Sequence, residues 1–294
     1  MSISILGAAV VGALLALSGA VLQSVFRNPL AEPYILGMVG GAALFASLAV
    51  MCGLTAFGCF VLPAMSFLGA LFSLALVALV AWLVVRNRRI HGADGFLRSS
   101  YSTVILSGFV VTGFTGSLQM LLVSYAEPEA LKAIQTWIFG TVDGISGLSV
   151  LTGALLLAVV AAVLSAFRRE LNVMELGHDE AACLGVNTGL TMVAVLGTVA
   201  LATAASVALA GMIGFVGLVM PHLARRIAGP RMQRLLPLSA TFGAVFLALA
   251  QVVCLLLPEG RGYRPGVGVV CAIICAPFML VLLVAGAKGE GRDV

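Results

Sequence analysis

The sequence predicts an all-α polytopic membrane protein of about nine transmembrane helices, on three observations. The hydrophobic fraction is 61% over 294 residues, where soluble domains run about 45–50% apolar. Charged residues are only 10% and mean hydropathy is +1.15; a compact soluble chain exposes too much surface to hide that much apolar side chain. The apolar residues also form continuous runs of about 20 residues, the length that crosses a bilayer core, without the alternation of a β-barrel. The same composition excludes disorder. A net charge of +4, with the arginines in short clusters between apolar runs, disfavours a nucleic-acid partner.

The runs form one membrane domain over 1–294, with spans at 2–22, 34–54, 60–85, 103–126, 148–167, 188–205, 207–224, 235–257 and 267–287. Asn28-Pro29 and Glu32-Pro33 are helix stoppers and turn formers, which break the chain after the first run and restart it near Tyr34. Cys52 and Cys59 flank the turn to the third span. Ser100, Ser102 and Thr103 open the fourth, and these residue types cap helix N-termini well. From Thr188 to His222 there is no polar loop, only Gly, Ala, Ser and Thr around Thr203 to Gly214. That stretch is long for one span and short for two.

Positive charge sets the topology. Of the 16 Lys and Arg, all but Lys132, Arg261 and Arg264 fall in alternate gaps or at the C-terminus. The positive-inside rule places those gaps and the C-terminus in the cytoplasm. Both flanks of 188–222 are then inside, so that stretch is read as a tight hairpin of two spans. The same rule leaves Met1 outside, with no basic residue before the first run. A cleaved signal peptide ending near Ser18-Gly19-Ala20 is one reading. The preferred one is that one upstream span is missing and the true or ancestral protein has ten.

No Asp, Glu, Lys or Arg falls inside the nine spans. Ion-coupled carriers keep ionisable groups there as relays, so energy for uphill movement enters through a partner. The 34 glycines read first as close-packing faces between helices. The six cysteines make no disulfide framework, and Cys183, Cys254, Cys271 and Cys275 read as small packing residues. No nucleophile–base pair, carboxylate dyad or metal-ligand set stands out. The phosphate-binding GxxxxGK[ST] pattern is missing, so ATP and Mg belong on another chain.

Four stretches carry a family resemblance. Gly19 to Gly37 reads GAVLQSVFRNPLAEPYILG, Glu175 to Val186 reads ELGHDEAACLGV, and Gly211 to Arg225 reads GMIGFVGLVMPHLAR. Leu235 to Ala240 with Ala276-Pro277-Phe278 follow at the expected places. Over nearly the whole chain the sequence resembles the FecCD-type permeases of ABC importers for iron-siderophores, haem and cobalamin. That family has ten spans per subunit. Aligned by these motifs, the chain lacks the first span and the basic Leu-Pro-Arg segment after it.

The resemblance implies a permease subunit in the cytoplasmic membrane, without enzymatic activity or a cofactor of its own. Its implied partners are a cytoplasmic ATPase dimer, an external substrate-binding protein and a second, identical or related permease. It implies ATPase coupling by residues 170–186, with Glu175, Leu176, Gly177, His178, Asp179, Glu180, Ala181 and Gly185 at its heart. Gly177 and Gly185 would divide this segment into one or two short helices, with Asp179 and Glu180 in a first turn that favours acids. It implies a cytoplasmic gate at Asn28, Pro29 and Leu30, and a second gate region at Ser100, Ser102 and Thr103. Trp137 matches a Trp-x-x-Gly near the outer gate. The family's outward docking arginines have no match here; Arg261 and Arg264 are the substitutes for binding-protein docking, and Gln251 stands where the family has Asp. The rival readings are an ATPase-independent carrier or channel, and a truncated, non-transporting paralogue.

Overall fold

The computed structural model describes residues 2–58, 60–88, 96–258 and 264–290. Among them every regular element is helical. Among the described residues, six helices are long and apolar enough to cross a membrane: α1 (Ser2–Val25), α3 (Val61–Arg88), α4 (Phe96–Val123), α6 (Gly147–Ala166), α9 (Thr188–Ala210) and α11 (Met232–Leu256). The 14-residue apolar helix α2 (Met38–Met51) and the helix α12 (Val267–Glu290) join them. Four helices complete the set: α5 (Pro128–Ile138), α7 (Arg168–Met174), α8 (His178–Cys183) and α10 (Val216–Ala228).

α1 is the axis of the bundle. Residues 11–25 are buried on every face, and α6, α9, α10 and α11 pack around it. Small residues permit that crowding. A side chain at Gly12 would strike the Gly243 carbonyl of α11, and one at Gly19 would strike the Gly217 carbonyl of α10. The bundle therefore closes on backbone contact at two crossings.

The structure differs from the expected spans in two places. The run 34–54 is a 3-10 turn, Pro33–Leu36, followed by the 14-residue α2, with Gly37 at φ +79° between them. Pro33 has already re-entered the bundle there. Its Cδ and the Leu15 carbonyl oxygen both stand 2.8 Å from where a Gly217 Cβ would lie. Leu15 is ten residues before the end of α1, a depth of about 15 Å at 1.5 Å per residue.

The second difference lies in 188–222. α9 runs to Ala210, residues 211–215 are non-helical, and α10 has only 13 residues. The hairpin therefore turns later than 205–207, and its second arm is a half-length helix. Thr203 and Ser206 do not break α9 because their hydroxyls donate back to the Val199 and Ala202 carbonyls at 2.8 Å. Gly211, at φ +70°, ends the helix instead.

Candidate functional site: the arginine-bearing end and its link to the interior

The end of α1, the start of α11, the last turn of α10, and α7 with α8 meet at one pole, which carries Arg27, Arg168, Arg169, Arg225, Arg226, Arg231 and Arg234. α7 is its keystone. Leu171 and Met174 are fully buried against the core. Asn172 accepts the Met232 N–H at 2.8 Å and donates to Gln233 at 3.1 Å, so it caps α11.

Glu175 follows α7 directly, and its carboxylate faces inward. Arg225 Nη1 of α10 donates to Glu175 Oε1 at 2.7 Å, and Ser24 Oγ of α1 donates to the same oxygen at 2.7 Å. Arg225 Nη2 donates to Ser24 Oγ at 2.5 Å, closing a triangle across three helices. The Arg225 and Glu175 side chains are 26% and 19% exposed, so the pair is shielded more than a surface ion pair and less than a core one. A hollow of about 270 Å³ beside it is bordered by Gln23, Arg27 and Pro29.

Beyond Glu175 the segment breaks at Gly177, a buried residue at φ +147° over which the Glu180 carboxylate lies. The six-residue α8 follows, and Gly185 at φ +81° ends it. Ala181 is buried, whereas Leu176 and Leu184 are 62% and 64% exposed. The segment thus shows two large apolar side chains and Glu180 outward. The side chains of His178 and Asp179 lie outside the described residues.

The expected gate residues follow α1. Asn28 Oδ1 accepts the Leu30 N–H at 2.9 Å, which makes a tight turn; Asn28 and Pro29 are exposed and Leu30 is 43% exposed. Ser100, Ser102 and Thr103 do not open a helix. α4 begins at Phe96, so they lie within its first two turns, where N-capping does not apply. Thr103 is buried; the side chains of Ser100 and Ser102 lie outside the described residues. The next turns of α4, at Ile105 and Gly108, border a hollow of about 350 Å³ beside Tyr34.

Two residues between the gate turn and α2 reach the α9–α10 break. Glu32 Oε1 accepts the Phe215 N–H at 2.6 Å, and Tyr34 Oη accepts the Ile213 N–H at 2.8 Å. They satisfy backbone donors that the break leaves without helical partners. Phe215 itself has φ +68°, an unusual conformation for a bulky residue. Sequence reasoning missed Ser24, Glu32, Tyr34, Asn172 and Arg225. The only signal was that four of them sit inside or beside the quoted motifs.

At the opposite pole, loop 139–146 fastens the helix ends. Thr141 N–H donates to the Ala210 carbonyl at 2.8 Å, Gly268 N–H to the Gly140 carbonyl at 3.3 Å, and buried Gln251 to Asp143 at 2.8 Å. Trp137, in the last turn of α5, is 8% exposed and packs into the core, so its ring offers little outward surface. Arg264 is partly buried, and Arg261 lies outside the described residues.

Comparison with known proteins matches the model of the FecCD transport family over residues 3–285. The cobalamin import system permease of Halobacterium salinarum is 37% identical over 94% of this chain and 69% of its own length. An Fe(3+)-citrate import system permease of Bacillus subtilis is 34% identical over 95% of this chain and 79% of its own. The hemin transport system permease of Yersinia pestis is 31% identical over 95% and 80%. A solved metal-chelate type ABC transporter in an inward-facing conformation superposes with a TM-score of 0.82 at 31% identity, over 96% of this chain and 86% of that one.

Proposed function

Because the chain belongs to the FecCD transport family, in which the similar proteins are importer permeases, we propose that it is the membrane subunit of a binding-protein-dependent ABC importer. The cargo is an iron-siderophore, haem or cobalamin-like chelate. ATP and Mg bind to a separate cytoplasmic ATPase dimer. An external binding protein delivers the cargo at the Trp137 pole, and a second permease copy or a related permease completes the path. The arginine-bearing pole and the C-terminus face the cytoplasm of the inner membrane, in keeping with the charge asymmetry.

The observation that carries this reading is the motif segment 175–186. It projects Leu176 and Leu184 from the arginine-bearing pole, while Glu175 ties its root to α1 and α10. An apolar knob on an otherwise charged face fits a cleft in a soluble partner.

The test is ATPase activity of this chain co-expressed with its neighbouring ATPase in lipid discs. Binding protein loaded with ferric siderophore, haem or cobalamin is added in turn. Stimulation by one loaded protein supports the importer and names its cargo class. If no ATPase associates, the reading fails in favour of an ATPase-independent carrier or channel. An assembled complex that none of the three stimulates points to a non-transporting subunit.

A further inference from the structure

The importer reading assigns a coupling segment and a gate turn without saying what joins them. Between the two stands α10, held at both ends by side chains from other segments. Its last turn carries Arg225, bound to Glu175 at the root of the coupling segment and to Ser24 at the end of α1. Phe215 and Ile213, just before its start, are held by Glu32 and Tyr34, a few residues beyond the gate turn at Asn28. Gly217 lets α10 lie directly on the α1 backbone beside Pro33.

The bonds at the two ends differ in kind. The triangle at Arg225 is made of side chains alone and is partly open to water. Glu175 is not bent back onto its own helix: its oxygen is shared between α1 and α10. A displacement of residues 175–186 must therefore either carry Arg225 along or break a charge-assisted contact. At the other end, a side-chain carboxylate holds a backbone N–H where the chain is already non-helical, so α10 can pivot there without losing a helical hydrogen bond.

We propose that α10 is the transmission rod of the transporter: the Glu175–Arg225–Ser24 triangle is the clasp through which the coupling segment moves it, and Glu32 with Tyr34 is the joint that passes the movement to the gate turn at Asn28–Leu30. The proposal rests on the importer reading. Arg225, Ser24 and Glu32 are positioning residues in it, since they act through the elements they hold. Leu176 and Leu184 face the ATPase, whereas Glu175 faces inward.

The test uses the complex with its ATPase in lipid discs, comparing Glu175→Gln, Arg225→Gln, Ser24→Ala and the exchanged pair Glu175→Arg with Arg225→Glu. Three quantities are read: ATPase association, transport per ATP hydrolysed, and maleimide labelling of Leu30→Cys with and without trapped nucleotide. Each charge-removing variant should keep the ATPase bound and lower transport per ATP about tenfold, within the span of ordinary coupling effects. It should also abolish the nucleotide-dependent change in labelling at Leu30→Cys. The exchanged pair should restore both partly, and Ser24→Ala should have the smallest effect.

If the complexes assemble and Leu30→Cys still responds to nucleotide in Arg225→Gln, the rod is overturned and the importer reading stands. If the exchanged pair is no better than the single variants, and all of them lose thermal stability alike, the triangle is a structural contact and the proposal fails. If the unsubstituted chain binds no ATPase, both readings fall.

Discussion

The two poles of the bundle are closed by different chemistry. At the Trp137 pole the fastening is largely backbone to backbone: Thr141 on Ala210 and Gly268 on Gly140, with Gln251 on Asp143 added. At the arginine-bearing pole it runs through side chains: Ser24, Glu175 and Arg225 bond one another, and Asn172 bonds the Gln233 side chain and the Met232 N–H. A backbone fastening fixes spacing and depends little on residue identity. A side-chain fastening depends on charge and can be exchanged for another partner. The contrast matches a molecule rigid at one end and adjustable at the other.

That contrast can be broken or sharpened by substitution. The largest effect belongs to the axis both poles share. Gly19→Leu puts a side chain into the Gly217 carbonyl, where overpacking costs about 3 kcal/mol or more. The expected outcome is loss of a monodisperse peak in detergent, and a normal elution profile would contradict the packing described. Next comes Gly177→Val, at φ +147° with the Glu180 carboxylate in the way. Such strain costs about 1–3 kcal/mol locally. It should leave the bundle folded while transport falls well below basal ATP hydrolysis, and full transport would argue against coupling through this segment.

Asn172→Ala removes the cap on α11 at Met232 and should cost about 1 kcal/mol, seen as a modest fall in thermal midpoint. The smallest effect is expected at the opposite pole. Gln251→Leu fills the same space and leaves Asp143 facing solvent. A hydrogen bond to a carboxylate is worth about 1.5–3 kcal/mol net, but Asp143 is exposed, so water replaces the lost donor, and burial of the new side chain offsets much of the rest. If Gln251→Leu proved more damaging than Asn172→Ala, the ranking of the two poles would be inverted.

Much of the fold was legible in the sequence because bilayer-length apolar runs and clustered arginines are strong signals. What hydropathy could not show was backbone path inside a run. Pro33–Leu36 and α2 average to one apolar stretch, although the first is a 3-10 turn and the second a 14-residue helix. Thr203 and Ser206, among small residues, read as a turn because their hydroxyls are polar. They satisfy themselves on carbonyls one turn back, so the helix continues to Gly211.

The site was legible as motifs and not as pairings. Ser24, Glu175 and Arg225 lie up to 201 positions apart, and no periodicity connects them. The resemblance grouped Glu175 with the other coupling residues and gave it no direction. Its inward direction follows only from where α1 and α10 end.

The carboxylate of Glu32 also has a history to pass through. It settles inside the bundle only once Phe215, 183 positions later, supplies its hydrogen-bond donor. At about 5–20 residues per second the ribosome needs roughly 10 to 40 s to cover that distance. Until then an acid stands unmatched at the edge of a newborn membrane segment. The amino-terminal part of the chain therefore has to wait, held near the interface or by an insertase, for its later half. Biogenesis of this protein should respond to translational pausing between residues 32 and 215, while the finished protein would show no trace of it.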